Sequence, residues 1–166
     1  MTPLRWMVEA DLPAVAELWH AAWHDAHGTL VDPSLAALRT PRSFAERLRA
    51  MLTRTKVAGP TEAPLGFCTV TEDELDHLFV CRDARGTGLA AALLADGEHR
   101  LAGLGVRRAW LACAVGNERA QRFYHKAGWE AVGRVEILST PVGGRSFPVL
   151  YDRFEKTLLD GAAGSG

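Results

Sequence analysis

Glu74-Leu75-Asp76-His77-Leu78-Phe79-Val80, followed by Arg82-Asp83-Ala84-Arg85-Gly86-Thr87-Gly88-Leu89-Ala90, is the stretch on which the fold turns. Leu75 to Val80 is an apolar segment that suits a strand. Beyond the turn, Leu89, Ala92, Leu93, Gly97 and Leu101 recur at helical spacing, and Gly103 and Gly105 end the pattern. A strand, a basic turn with two glycines and then a helix make an anion site. The glycines let backbone approach the ligand closely, and the first N–H groups of the helix point outward without partners.

Upstream, Leu65 to Thr71 is rich in strand formers and is joined to Leu75–Val80 by the polar Thr71-Glu72-Asp73, which predicts an antiparallel pair. Gly59, Pro60 and Pro64 mark a loop before it. Nearer the start, Leu4 to Val8 reads as a strand and Asp11 stands where a helix N-cap belongs, with Pro13 in the first turn. Leu12, Val15, Ala16, Trp19, Ala22 and Trp23 then share one helical face. The Gly28 to Pro33 region breaks that pattern. A second helix is expected from about Pro41 to Leu52, on the stripe Phe44, Leu48, Leu52.

Downstream, Val106 to Val115 suits a buried strand, and Asn117 caps a helix that stops at Gly128. Ala131 to Leu138 and Phe147 to Glu155, separated by Pro141 and Gly143-Gly144, predict a closing hairpin. The chain is therefore expected to be a mixed α/β (α+β) single domain over residues 1–158, with 159–166 as a frayed tail.

Composition sets the outer limits. A chain of 166 residues with 48% hydrophobic and 23% charged side chains is that of an ordinary globular domain. Its formal net charge of -1 supplies no basic field, so nucleic acid is not an expected partner. No apolar run approaches the length of a membrane span and no signal peptide is evident, which makes the cytoplasm the default location. Cys68, Cys81 and Cys113 are odd in number and widely spaced, so neither a disulfide framework nor a cysteine metal site is expected.

Two other nucleotide motifs compete for the glycine turn. Gly86 to Ala91 also reads as G-x-G-x-x-A, the dinucleotide fingerprint. Against it, five residues intervene between Val80 and Gly86, and no acidic residue lies near position 111, where a ribose partner belongs. A phosphate loop of the Walker type would need a Gly-Lys-Ser/Thr that does not follow.

Two separated blocks resemble the GNAT superfamily of acyl-CoA N-acyltransferases. Glu74 to Val80 leading to Arg85-Gly86-Thr87-Gly88-Leu89-Ala90 is similar to the family's pyrophosphate motif, Q/R-x-x-G-x-G/A. Asn117-Glu118-Arg119-Ala120-Gln121-Arg122-Phe123-Tyr124-His125-Lys126-Ala127-Gly128-Trp129 resembles the signature N-x-x-A-x-x-F/L-Y-x-x-x-G-F, with tryptophan at the final aromatic. The resemblance implies a mostly antiparallel sheet, flanked by helices on both faces and splayed between the strands ending near Val80 and Val115. Acetyl-CoA, as cosubstrate, would lie in that gap. The main chain of Leu78, Phe79 and Val80 would meet the pantetheine and the acetyl carbonyl, Arg85, Gly86, Thr87, Gly88, Leu89, Ala90 and Ala91 would cradle the pyrophosphate, and Asn117 would add a contact.

The chemistry needs a base, because an amine with the usual pKa near 10 is only about one part in a thousand neutral at pH 7. Glu74, six residues before Val80, stands where many members carry a glutamate, with Asp76 and His77 as neighbouring candidates. A second family position for that glutamate, five residues before Asn117, is Ala112 here, which leaves a non-catalytic acyl-CoA-binding regulatory domain as the alternative. Tyr124, seven residues after Asn117, matches the family's acid and would stabilise the departing thiolate. His20, His24 and His27 fall at i, i+4 and i+7 near Trp19 and Trp23. They are read as an amphipathic helix face, as an acceptor wall or as a metal set, and no metal is carried into the expected site. Trp110 and Phe123 are assigned to the core. The acceptor is expected to be a small-molecule or peptide amine, and the closing hairpin offers an edge for a homodimer.

Overall fold

In the computed structural model, which describes residues 2–158, seven strands form one sheet: β1 Leu4–Trp6, β2 Thr55–Ala58, β3 Gly66–Thr71, β4 Glu74–Val80, β5 Arg108–Ala114, β6 Glu130–Leu138 and β7 Pro148–Thr157. The helices are α1 Leu12–His27, α2 Pro33–Leu38, α3 Pro41–Ala50, α4 Leu89–Gly103 and α5 Glu118–Lys126. The spatial order is β1-β2-β3-β4-β5-β7-β6, and every neighbouring pair is antiparallel except β4 with β5. The expected tail, 159–166, lies outside the described residues.

Each face of the sheet has its own core. On one side α4 presses Leu89, Leu93, Leu94 and Leu101 against Cys68, Leu75, Leu111 and Phe154. A Cβ at Gly97 would come within 2.8 Å of Leu75 Cδ1, so this glycine sets how closely the helix lies on the strands. On the other side α1 and α3 bring Val15, Trp19, Phe44 and Leu48 over Val57 and Phe67. A smaller cluster seats Leu35 of α2 on Phe147 and Val149.

The predicted elements stand, with five differences. The first strand ends at Trp6, and the second helix ends at Ala50. Two short elements had not been expected: α2, started by the Asp32 side chain accepting from Ser34 N at 2.7 Å with Pro33 in the first turn, and β2, which fills the place between β1 and β3. Asp11 does not cap α1. Its carboxylate is taken by both Arg5 Nη atoms at 2.8 Å each and by the Val8 amide at 2.8 Å, and it makes no hydrogen bond to the amides of α1.

Asp11 is fully buried, and Arg5 holds its carboxyl below the usual carboxylate range, chiefly through that hydrogen bond. A lowered folded value means that the stabilisation is present above the unfolded pKa and lost as pH falls through the folded one. Asp11→Asn is therefore expected to cost about 2 kcal/mol in urea unfolding at pH 7. The gap between wild type and variant should close below about pH 4.

Candidate active site

The parallel partners β4 and β5 touch only at Glu74 opposite Trp110, reinforced by Trp110 N donating to Asp73 O at 3.2 Å. Beyond that point the strands diverge, leaving an edge of β4 unpaired among the described residues. The Cys81 amide donates to Leu65 O at 2.8 Å, so by antiparallel alternation Phe79 also turns its main chain to β3. Leu78 and Val80 then face the gap with free N–H and C=O groups. Across it, alternation from Val115 N to Leu150 O turns the main chain of Ala112 and Ala114 the same way.

A bulge tunes what the gap presents. Thr69 pairs with His77 but Val70 pairs with Leu75, so Asp76 is an extra residue and the alternation of β4 reverses there. Leu75, Leu78 and Val80 consequently all pack toward α4, while His77 and Phe79 turn to Trp19, with ring centroids 4.7 and 6.1 Å away.

Past Val80 the chain makes a single 3-10 turn, Arg82–Ala84, and enters α4 through two glycines with left-handed backbone, φ +77 at Gly86 and +87 at Gly88. A Cβ at either would meet nothing within 4 Å, so glycine is required by the backbone and the space in front is open. The amides of Arg85 and Thr87 are spent inside the turn, on Arg82 O and Ala84 O, and Thr87 Oγ1 also donates to Ala84 O. Leu89 N has only a long contact, 3.4 Å, to Thr87 Oγ1. Gly86, Gly88, Ala90 and Ala91 have no protein partner for their amides among the described residues. Four free N–H groups at the positive end of a 15-residue helix form an arrangement able to hold an anion. Beside it, Asp25 of α1 pairs with both Arg82 and Arg85.

The gap opens into a cavity of about 650 Å³, and Glu74, Asp76, His77, Leu78, Phe79, Val80, Arg85, Gly86, Gly88, Ala90, Ala91, Asn117 and Tyr124 all line it. Thr87 and Leu89 do not, because Thr87 is turned into its own loop and the buried Leu89 side chain joins the core. Burial first, then Asp76 and Asp73, push the Glu74 carboxyl up to about 8. Burial lowers His77 to about 4, while its Nε2 lies 3.2 Å from Asp76 Oδ1. Asp76 also accepts from Thr71 Oγ1 at 2.8 Å. Tyr124 sits among Phe123, Trp129 and Phe154, and burial holds its phenol well above the ordinary range, so it stays protonated as a donor. Asn117 caps α5 through Ala120 N at 3.3 Å and still faces the cavity.

The histidines part company. His24 Nε2 bonds Arg39 O at 2.7 Å, whereas His27, lowered by burial to about 4, lines the cavity. Among the described residues no three His, Cys, Asp or Glu are grouped to hold a metal ion. Neither Trp110 nor Phe123 belongs fully to the core. Trp110 is half-buried under Arg153, whose guanidinium stacks 4.4 Å from its ring, and Phe123 is half-buried on the cavity wall. The cavity also contains Arg39, Arg47 and Tyr151, which the sequence had not marked.

The acetyltransferase (GNAT) family profile matches residues 12–129. An uncharacterized N-acetyltransferase of Mycobacterium tuberculosis is 32% identical over 108 residues, covering 63% of this chain and 68% of that protein. Among solved structures, a GCN5-related N-acetyltransferase from Rhodopseudomonas palustris superposes with a TM-score of 0.75 at 20% identity, over 95% of this chain and 96% of its own. The PaiA N-acetyltransferase from Thermoplasma acidophilum, in complex with coenzyme A, gives 0.72 at 16% identity, over 95% and 99%. The chain belongs to the GNAT family and is an acyl-CoA-dependent N-acetyltransferase. No helix among the described residues is long and apolar enough to cross a membrane.

Proposed function

We propose that this enzyme binds acetyl-CoA across the β4–β5 gap and passes the acetyl group directly to an amine held in the same cavity. The observation that carries this reading is the row of unpartnered main-chain groups running from Leu78 and Val80 to Gly86, Gly88, Ala90 and Ala91. It matches a ligand with an extended amide-containing arm and a diphosphate. That the similarly folded Thermoplasma protein was solved with coenzyme A supports it.

In the proposed step the neutral amine attacks the thioester carbonyl, a C–N bond forms, the C–S bond breaks, and the amine proton passes to Glu74. Tyr124 donates a hydrogen bond to the departing thiolate. Handing over its proton outright is uphill, since a thiol is more acidic than a phenol even before burial raises the latter. Direct attack is favoured over an acetyl-enzyme because Cys113, the cysteine lining this cavity, has its thiol pushed up to about 12 by burial and is a poor nucleophile at neutral pH. Initial rates with both substrates varied should give intersecting lines; parallel lines would indicate a covalent intermediate.

A base titrating near 8 gives the pH profile a definite sign. Glu74 is mostly protonated at pH 7, so kcat/KM rises with pH through about 8, and Glu74→Gln removes that limb. The same change is expected to lower kcat on the order of 10²-fold. A variant profile that keeps the limb near 8 would assign it to the acceptor amine instead.

A further inference from the structure

Two arginines line the cavity without an ion pair among the described residues. Arg39, just after α2, is 4% exposed. Its Nη2 donates to Thr140 O at 3.1 Å, while Nε and Nη1 are buried with no hydrogen-bond partner among the described residues. Arg47, on α3, lies with its guanidinium 4.5 Å from the Trp19 ring centroid. Neither takes part in an ion pair among the described residues.

A buried cation without a counter-charge is costly to a folded chain, and an orphaned guanidinium edge adds to that cost. An enclosed water could satisfy an N–H but would not neutralise the charge. Glu74 is held largely protonated, and Asp76, whose charge is felt at Arg47, is hydrogen-bonded by Thr71 and makes no ion pair with either guanidinium. Burial lowers both guanidinium pKa values, that of Arg47 to about 10, with Arg39 contributing to it. The strand geometry separates these groups from the cosubstrate's phosphates. Arg47 sits over Trp19, at the level of His77 and on the α1 and α3 face, whereas the free amides of the cradle lie beyond Val80 at the start of α4.

We infer that the acceptor is an amine that also carries a carboxylate, and that Arg39 and Arg47 bind this carboxylate while the amine is presented toward Glu74. Arginine suits a carboxylate because its planar head presents several N–H donors, and Arg39 Nε and Nη1 each keep an N–H without a partner among the described residues. This inference rests on the acetyl-transfer reading and specifies its substrate class.

The test begins by confirming acetyl-CoA uptake calorimetrically, since a protein that takes up none overturns the acetyl-transfer reading and this inference with it. Thiol release is then measured with matched amines that differ only in the carboxylate, such as amino acids against their decarboxylated amines. The carboxylated members are expected to show kcat/KM on the order of 10²-fold higher. In Arg47→Gln that preference should fall at least tenfold through KM, with acetyl-CoA affinity unchanged. Arg47→Met should keep Tm near that of wild type, because it retains an unbranched stem over Trp19 and removes a desolvated guanidinium, so lost discrimination is not lost folding. Binding of the N-acetylated amino-acid products, followed by thermal shift in wild type and Arg47→Gln, reads the same site without turnover. Equal use of both amine sets, full preference in Arg47→Gln, or no carboxylate-dependent binding or turnover in a protein that takes up acetyl-CoA would overturn the inference.

Discussion

Tyr124→Phe lowers kcat on the order of 10²-fold or more while leaving the acetyl-CoA dissociation constant within about threefold of wild type. The expectation follows from where the phenol sits. Tyr124 lies near the end of α5, enclosed by Phe123, Trp129 and Phe154, so removing one oxygen leaves the ring packing intact. In that apolar setting a thiolate leaving group has little water to solvate it, and a single donor is worth more than it would be outside. The free enzyme should be as stable as wild type, because the lost hydroxyl leaves no charged group behind. Pre-steady-state measurement of thiol release separates this from a slowed product step. Full turnover by the phenylalanine variant would return Tyr124 to the hydrophobic core.

The second large effect is expected at Gly88→Asp. Gly88 has φ +87 and stands directly before α4, where a Cβ would meet nothing within 4 Å. Aspartate tolerates a left-handed backbone better than most residues, and a carboxylate before a helix can accept from the first free amides. Folding should therefore survive, with Tm shifted by only a few degrees. Binding should not survive, since the new carboxylate occupies the donors of Ala90 and Ala91 and repels a diphosphate. A weakening of acetyl-CoA on the order of 10²-fold by calorimetry is expected. Gly88→Ala carries the same Cβ and backbone strain without the charge, and a loss of about tenfold or less would identify electrostatics as the main cause. Unchanged affinity in the aspartate variant would show that the phosphates bind elsewhere.

Much of this site was legible in order along the chain because it is built from main chain. Gly86 and Gly88, the helix stripe from Leu89 and the cap at Asn117 announce themselves by local rules of turn and helix. Local rules also misled. Asp11 stood at a cap position, but a single arginine of β1, Arg5, takes its carboxylate instead of the helix amides, and Trp110 read as core although its sheet face is covered by Arg153. The short α2 and β2 were missed because six and four residues give too little periodicity to register.

The sequence by itself determined the strand–turn–helix cradle, the antiparallel pair that leads into it and the cap and tyrosine of α5, since each depends on residues within about one helix length. Only the tertiary structure decided which main-chain groups remain free, that a bulge at Asp76 reverses the face of β4, and that Arg39 and Arg47 line the same cavity as Glu74 without an ion pair among the described residues. In one dimension those arginines look like solvated charges on and between short helices. Their meaning comes from enclosure in the cavity and from the missing counter-ion among the described residues, which no local spacing encodes.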